Sequence, residues 1–188
     1  MKKLLMSAAV LTLSIGVTQA AVMGTQAFVD FGTPVGNTGN INTSTVFTIG
    51  NLLSNASNTG DFAGFGPDFF GPVTFNQAVA TSFSFGDASF GTFTSTSITR
   101  IPEPLGIAAF YILGNYAPGT YTAGSAPGGP ASFTLTFNQT PPVYGGISDS
   151  GTFAIPPAAP PSSSPEPATL ALIGSALVGL GVVRRRKA

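Results

Sequence analysis

All sixteen phenylalanines of the 188-residue chain fall between residues 21 and 155, and the clearest runs of them recur at every second position. Phe133, Leu135 and Phe137 alternate with Ser132, Thr134, Thr136 and Asn138, as Val79, Phe83 and Phe85 do with Ser82 and Ser84. Successive side chains of an extended strand point to opposite sides, so this spacing puts rings on one sheet face and hydroxyls on the other. Further strands are expected over residues 46–50, 73–75, 90–101, 107–113 and 151–155. Gly, Pro, Asn and Asp clusters such as Ala126-Pro127-Gly128-Gly129-Pro130 lie between them. No amphipathic helix stands out. The pattern predicts an all-β fold, a single antiparallel β-sandwich or jelly-roll-like domain over residues 21–155, with long loops at 32–45 and 54–72. A segment of that length can bury a core of its own.

What the chain lacks narrows its chemistry. It has no Cys, no His and no Trp. Disulfides, thiolate or imidazole metal sites, Ser/His/Asp or Cys/His triads and a histidine base are therefore all excluded. The formal net charge of zero conceals a split, because six of the seven cations lie at the two termini. Between residues 21 and 167 Arg100 alone stands against Asp30, Asp61, Asp68, Asp87, Glu103, Asp149 and Glu166, a net charge of −6. An acidic body of this kind repels phosphate backbones, and no nucleic-acid partner is expected. The same acidity keeps a Phe-rich domain in solution.

The first twenty residues read as a signal peptide. Lys2 and Lys3 precede an apolar run from Leu4 to Val17, and small residues then lead to an expected cut between Ala20 and Ala21. Fourteen apolar residues would rise only about 21 Å as a helix, against a hydrocarbon layer of about 30 Å. That shortfall argues for an exported, cleaved leader over a permanent span.

The other end is built in three parts. Residues 156–164, Pro156 through Ser164, form a Pro/Ser-rich tract too poor in apolar bulk for a core, expected as a stiff, solvated polyproline-like linker. Pro165-Glu166-Pro167 follows, then the uncharged run 168–183, then Arg184, Arg185, Arg186 and Lys187. Sixteen residues reach about 24 Å as a transmembrane helix, and snorkelling of the basic side chains makes up the difference. The basic cluster stays on the cytoplasmic side, which places the domain before the helix outside.

In the order and spacing of these three parts, the tail over residues 165–188 resembles the PEP-CTERM sorting signal of Gram-negative envelope proteins. Tails of this kind also carry the label of an ice-binding protein C-terminal domain, which describes the company the tail keeps. The resemblance implies recognition of Pro165, Glu166 and Pro167 by an exosortase-like processing enzyme that removes the helix. A second tripeptide, Pro102-Glu103-Pro104, is followed by only nine apolar residues and no basic cluster. It is expected to be a turn entering a strand.

No residue set within the body selects a reaction, and neither a catalytic site, a metal site nor a cofactor is expected. Asp61, Asp68 and Asp87 carry oxygen ligands suited to Ca²⁺ but lack the spacing of a calcium loop, and solvated turns account for them. Nothing picks out a carboxylate pair for glycoside hydrolysis. Thr92, Thr94 and Thr96 should share one strand face without forming a repeated ladder. Tyr111, Tyr116, Tyr121 and Tyr144 leave carbohydrate binding open. Asn42, Asn55 and Asn138 head chance sequons.

The expectation is an exported, non-enzymatic cell-envelope or extracellular-matrix protein, handled by the secretion machinery and signal peptidase. Its C-terminal helix would hold it at the inner membrane before release to the outer surface or matrix, where exopolysaccharide is a conceivable partner. The alternatives are a surface-displayed carbohydrate- or Ca-binding module, or a permanently anchored protein with an uncleaved tail.

Overall fold

The computed structural model describes residues 21–122, 127–141 and 145–161. The signal peptide expected up to Ala20, the PEP tripeptide at 165–167, the helix expected at 168–183 and the basic cluster Arg184–Lys187 lie outside the described residues. So does Tyr144. No helix among the described residues is long and apolar enough to cross a membrane.

Eleven strands run in order: β1 (Gly24–Asp30), β2 (Val35–Gly36), β3 (Val46–Ile49), β4 (Leu52–Gly60), β5 (Phe69–Phe70), β6 (Val73–Asn76), β7 (Ser84–Asp87), β8 (Gly91–Ile101), β9 (Ile107–Pro118), β10 (Gly129–Thr140) and β11 (Gly146–Ile155). The all-β expectation holds. The two comparable layers of a sandwich are not what forms. One eight-stranded sheet, ordered β5-β4-β1-β11-β10-β9-β8-β7, curls until its two edges meet, and a three-stranded sheet, β2-β3-β6, packs against it. Phe70 on edge strand β5 lies 5.8 Å, ring centre to ring centre, from Phe85 on the opposite edge β7. The chain's five last strands form consecutive antiparallel hairpins, and β11 returns to pair with β1.

Ring size explains the curl. Fourteen of the sixteen phenylalanines are buried, and they fill a narrow interior from both sides. Phe133 packs 5.5 Å from Phe28, 5.1 Å from Phe83 and 5.2 Å from Phe85. These spacings are those of tilted and edge-to-face aromatic pairs. Under the smaller sheet Phe47 stacks on Phe137 at 4.9 Å and meets Phe110 edge-on at 5.1 Å. Phe83 joins the two groups, 5.5 Å from Phe75.

Glycine supplies the complementary space. Gly114 and Gly151 occupy inward positions, and a Cβ on either would fall 2.6 Å from the Phe93 ring or 2.5 Å from the Phe133 ring. One ring thus covers two inward positions, which is how a chain rich in both residues packs closely.

Several local expectations need correction. Val79 is not on the buried alternation: it is 47% exposed, in a turn closed by its N–H bond to the Asn76 carbonyl and by Ser82 bonding back to it. The segments 32–45 and 54–72 are not wholly loops, since they contain β2, most of β4 and β5. β9 and β11 run longer than the apolar cores that signalled them. Pro102-Glu103-Pro104 is the exposed turn anticipated between β8 and β9, with the Ile107 N–H bonded to the Pro104 carbonyl.

Arg100, the single cation of the body, faces inward near the end of β8. It donates to the carbonyls of Ile41 (2.7 Å) and Ser44 (3.2 Å) and lies 5.6 Å over the Phe110 ring. Burial pulls its pKa down. It ties the 40–45 loop to the large sheet, a structural use of charge.

Candidate functional site

The three aspartates with oxygens suited to a cation do not gather. Asp61 accepts the Met23 N–H at 2.8 Å, and its own N–H bonds to the Met23 carbonyl. Asp87 caps a turn, accepting from the N–H groups of Ser89 (2.8 Å) and Phe90 (2.7 Å). Asp68 accepts from the Phe69 N–H. The curl does bring Asp68 towards Asp87, where the sheet edges meet. Partial burial raises the Asp68 pKa foremost, and the neighbouring Asp87 adds to it. Among the described residues no three acids form a cluster able to hold a metal.

A different acidic pair carries more strain. Asp30 closes β1 and Asp149 lies at an inward position of β11, next to each other across the β1–β11 ladder. Phe137 is the β10 neighbour of Asp149. Nothing on either side donates a hydrogen bond to Asp149, and both its oxygens are buried without a partner. Asp30 accepts from the Asn51 N–H at 3.0 Å through Oδ1 and leaves Oδ2 unpartnered. Burial, followed by the charge of Asp30, pushes the Asp149 pKa up to about 7. The pocket of about 260 Å³ at this end is lined by Gly36, Gln139 and Ile147 among others, but by neither acid. With its pKa raised, Asp149 holds a proton that it can share with the neighbouring Asp30 carboxylate. Sequence parity held the signal: Asp149 continues the inward series Ile147, Gly151 and Phe153.

The remaining candidates are spent on the chain itself or lie in the open. Thr92, Thr94 and Thr96 share the exposed face of β8 as expected, but the β9 partners of the first two are Ala117 and Asn115, so no ladder crosses the sheet. Tyr116 is buried and donates to the Phe90 carbonyl, with Thr122 beside it. Burial raises its pKa. Tyr121 donates to the Ala63 carbonyl at 2.8 Å. Asn55 and Asn138 are exposed.

Tyr111 has a different role. Its hydroxyl, on the outer face of β9, donates to the carbonyl of Ala158 in the linker, while the Ala158 N–H donates to Ser132 Oγ at 2.9 Å. The start of the linker is thus fastened to the domain at Ala158, while residues 156–161 stay exposed to solvent as the composition suggests. Ser132 points to the outer face with Thr134 and Thr136, yet only 1% of it is exposed.

The linker leads to the residues that decide the class of the protein. Residues 165–187 match the family model of the PEP-CTERM protein-sorting motif. The chain carries a PEP-CTERM sorting signal. The motif covers the tail alone and implies an exosortase-type processing enzyme and delivery to the cell envelope or surface. No curated protein and no solved structure matches the chain, so the PEP-CTERM tail gives the destination and the β-domain's role rests on its own surface.

Proposed function

We propose that this PEP-CTERM protein is a non-enzymatic structural or adhesive component of the cell envelope or extracellular matrix. The leader carries it out, the C-terminal helix holds it at the inner membrane, and processing at Pro165-Glu166-Pro167 releases the β-domain to the outside. The observation that carries this reading is the sorting motif at 165–187 at the end of an all-β body. The outward faces of three of its strands are uncharged and hydroxyl-rich: Thr92, Thr94 and Thr96 on β8, Thr134 and Thr136 on β10, Ser148, Ser150 and Thr152 on β11. Such a face suits hydrogen bonding to neutral polymers or other matrix components. A reporter fused after residue 155 should be active only outside the cytoplasm. Activity in the cytoplasm contradicts the reading.

A second reading, a carbohydrate-binding module, draws support from an exposed aromatic pair. Phe31 and Phe69 are 64% and 54% exposed and meet edge-to-face at 5.6 Å. Retention of the protein on polysaccharide columns, lost on Phe69→Ala, separates this reading from a purely structural one. A melting temperature that rises with Ca²⁺ would favour the calcium alternative.

A further inference from the structure

The linker between the last strand and the sorting signal has an uneven resistance to proteolysis that follows from its composition. From Ile155 to Pro161 the chain reads Ile-Pro-Pro-Ala-Ala-Pro-Pro. Every peptide bond in this stretch has proline on at least one side except Ala158–Ala159. Proline on the amine side of a bond substitutes the scissile nitrogen and removes its N–H, and its ring stiffens the backbone that a protease must grip. Ala158–Ala159, with a small residue on each side, is the weak link of this stretch; further along the linker Ser162–Ser163 and Ser163–Ser164 are free of proline as well. A serine protease with a small specificity pocket accepts such a residue, and attack requires the carbonyl of Ala158 to enter the oxyanion hole.

That carbonyl is taken. It accepts the Tyr111 hydroxyl, and the N–H of the same residue donates to Ser132 Oγ. Both backbone groups with which a protease would align the bond are therefore held by the outer face of β9 and β10. The two anchoring residues are themselves held firmly: Ser132 pairs with Leu113 on β9 and Ala154 on β11, and Tyr111 with Thr134 on β10 and Thr99 on β8. To present Ala158 to an enzyme the linker must first break two hydrogen bonds.

We propose that Tyr111 and Ser132 form a clasp that closes the Ala158–Ala159 bond to extracellular proteases. The clasp closes this domain-proximal cut between the β-domain and its sorting tail until the tail is processed, and this last clause rests on the function proposed above. Opening the clasp exposes a bond whose hydrolysis adds water across the Ala158 carbonyl and the Ala159 nitrogen, severing the domain from its signal.

The test is limited digestion of the full-length chain in detergent by elastase, with product masses read over time. The Tyr111→Phe/Ser132→Ala variant should yield a fragment ending at Ala158 about tenfold faster than the unmodified chain, the scale expected for losing such hydrogen bonds. Equal rates overturn the clasp. Amide exchange reads the closed state without any variant, because Ala158 and Ala159 carry the only backbone N–H groups between residues 156 and 161. Ala158 should exchange about tenfold more slowly than Ala159, and Ser132→Ala should abolish the difference. Exchange of both at the free-chain rate in the unmodified protein also overturns the clasp. Strand amides of β10 and β11 that stay protected in the variants show that the domain is still folded. A failure of the sorting reading shows elsewhere, as a tail retained in the mass of the mature protein, and leaves these two results to decide the clasp.

Discussion

Two neighbouring stretches of the β1–β11 ladder face the same interior and handle it in opposite ways. At one, Phe28 pairs with Gly151 and the Phe133 ring lies over the glycine, so a missing side chain is filled by a neighbouring ring. One step along the inward face, Asp30 and Asp149 meet beside Phe137, and three of their four oxygens are buried without a hydrogen-bond partner. The first stretch shows apolar closure at close packing. The second carries the unmet cost of buried carboxyl groups, which the first must outweigh for the sheet to curl. Two inward positions on one strand therefore have opposite effects on stability, although the backbone pairing is the same.

Cutting into the aromatic stretch should have the largest effect. Phe133 touches Phe28, Phe83 and Phe85, and Phe133→Ala is expected to cost about 3–5 kcal/mol by leaving a cavity where the rings converge. A denaturant midpoint close to that of the unmodified chain would break the comparison.

The acidic stretch should respond with the opposite sign. In the unfolded chain Asp149 titrates near 3.8, and in the folded one near 7, so the folded state binds the extra proton. Stability is then fully present below about pH 4, falls as pH rises towards 7, and stays low above it. Asp149→Asn should flatten that slope and raise stability at pH 8 by at most about 4 kcal/mol. A melting temperature of the unmodified chain that rises between pH 4 and 7, or an unchanged slope in the variant, would count against an uncompensated pair. A smaller effect is expected at the glycine itself. Gly151→Ala sets a methyl against a buried ring and should cost about 1–3 kcal/mol, measured in the same denaturant series.

The parity of Phe133, Leu135 and Phe137 made β10 legible in the sequence, and its neighbours β8 and β9 followed from runs of the same kind. β1 and β4 were not legible, for a physical reason. β1 puts Gly24, Gln26 and Asp30 inward along with Phe28, so its alternation carries little hydrophobic contrast. Its partner β4 bulges: the register passes from Phe28↔Ser54 to Gln26↔Asn58, setting three β4 residues against Ala27. Buried Gln26 fills the irregularity by donating to the Asn55 carbonyl, a polar repair that composition reads as loop. The curl was equally hidden, because it comes from rings meeting across edges distant in sequence, as Phe70 and Phe85 do. The sorting tripeptide was legible through the order of three unlike segments, whereas the fastening of Ala158 was not, because proline-rich composition speaks only for a solvated tract.

The intact mass of the mature protein recovered from cells tests the central claim most directly. Removal of the leader up to Ala20 and of the helix and basic cluster after the tripeptide gives a mass that ends in or beside Pro165-Glu166-Pro167. A mature protein whose mass still includes Arg184 to Lys187 contradicts sorting by cleavage and leaves a domain permanently anchored by its tail.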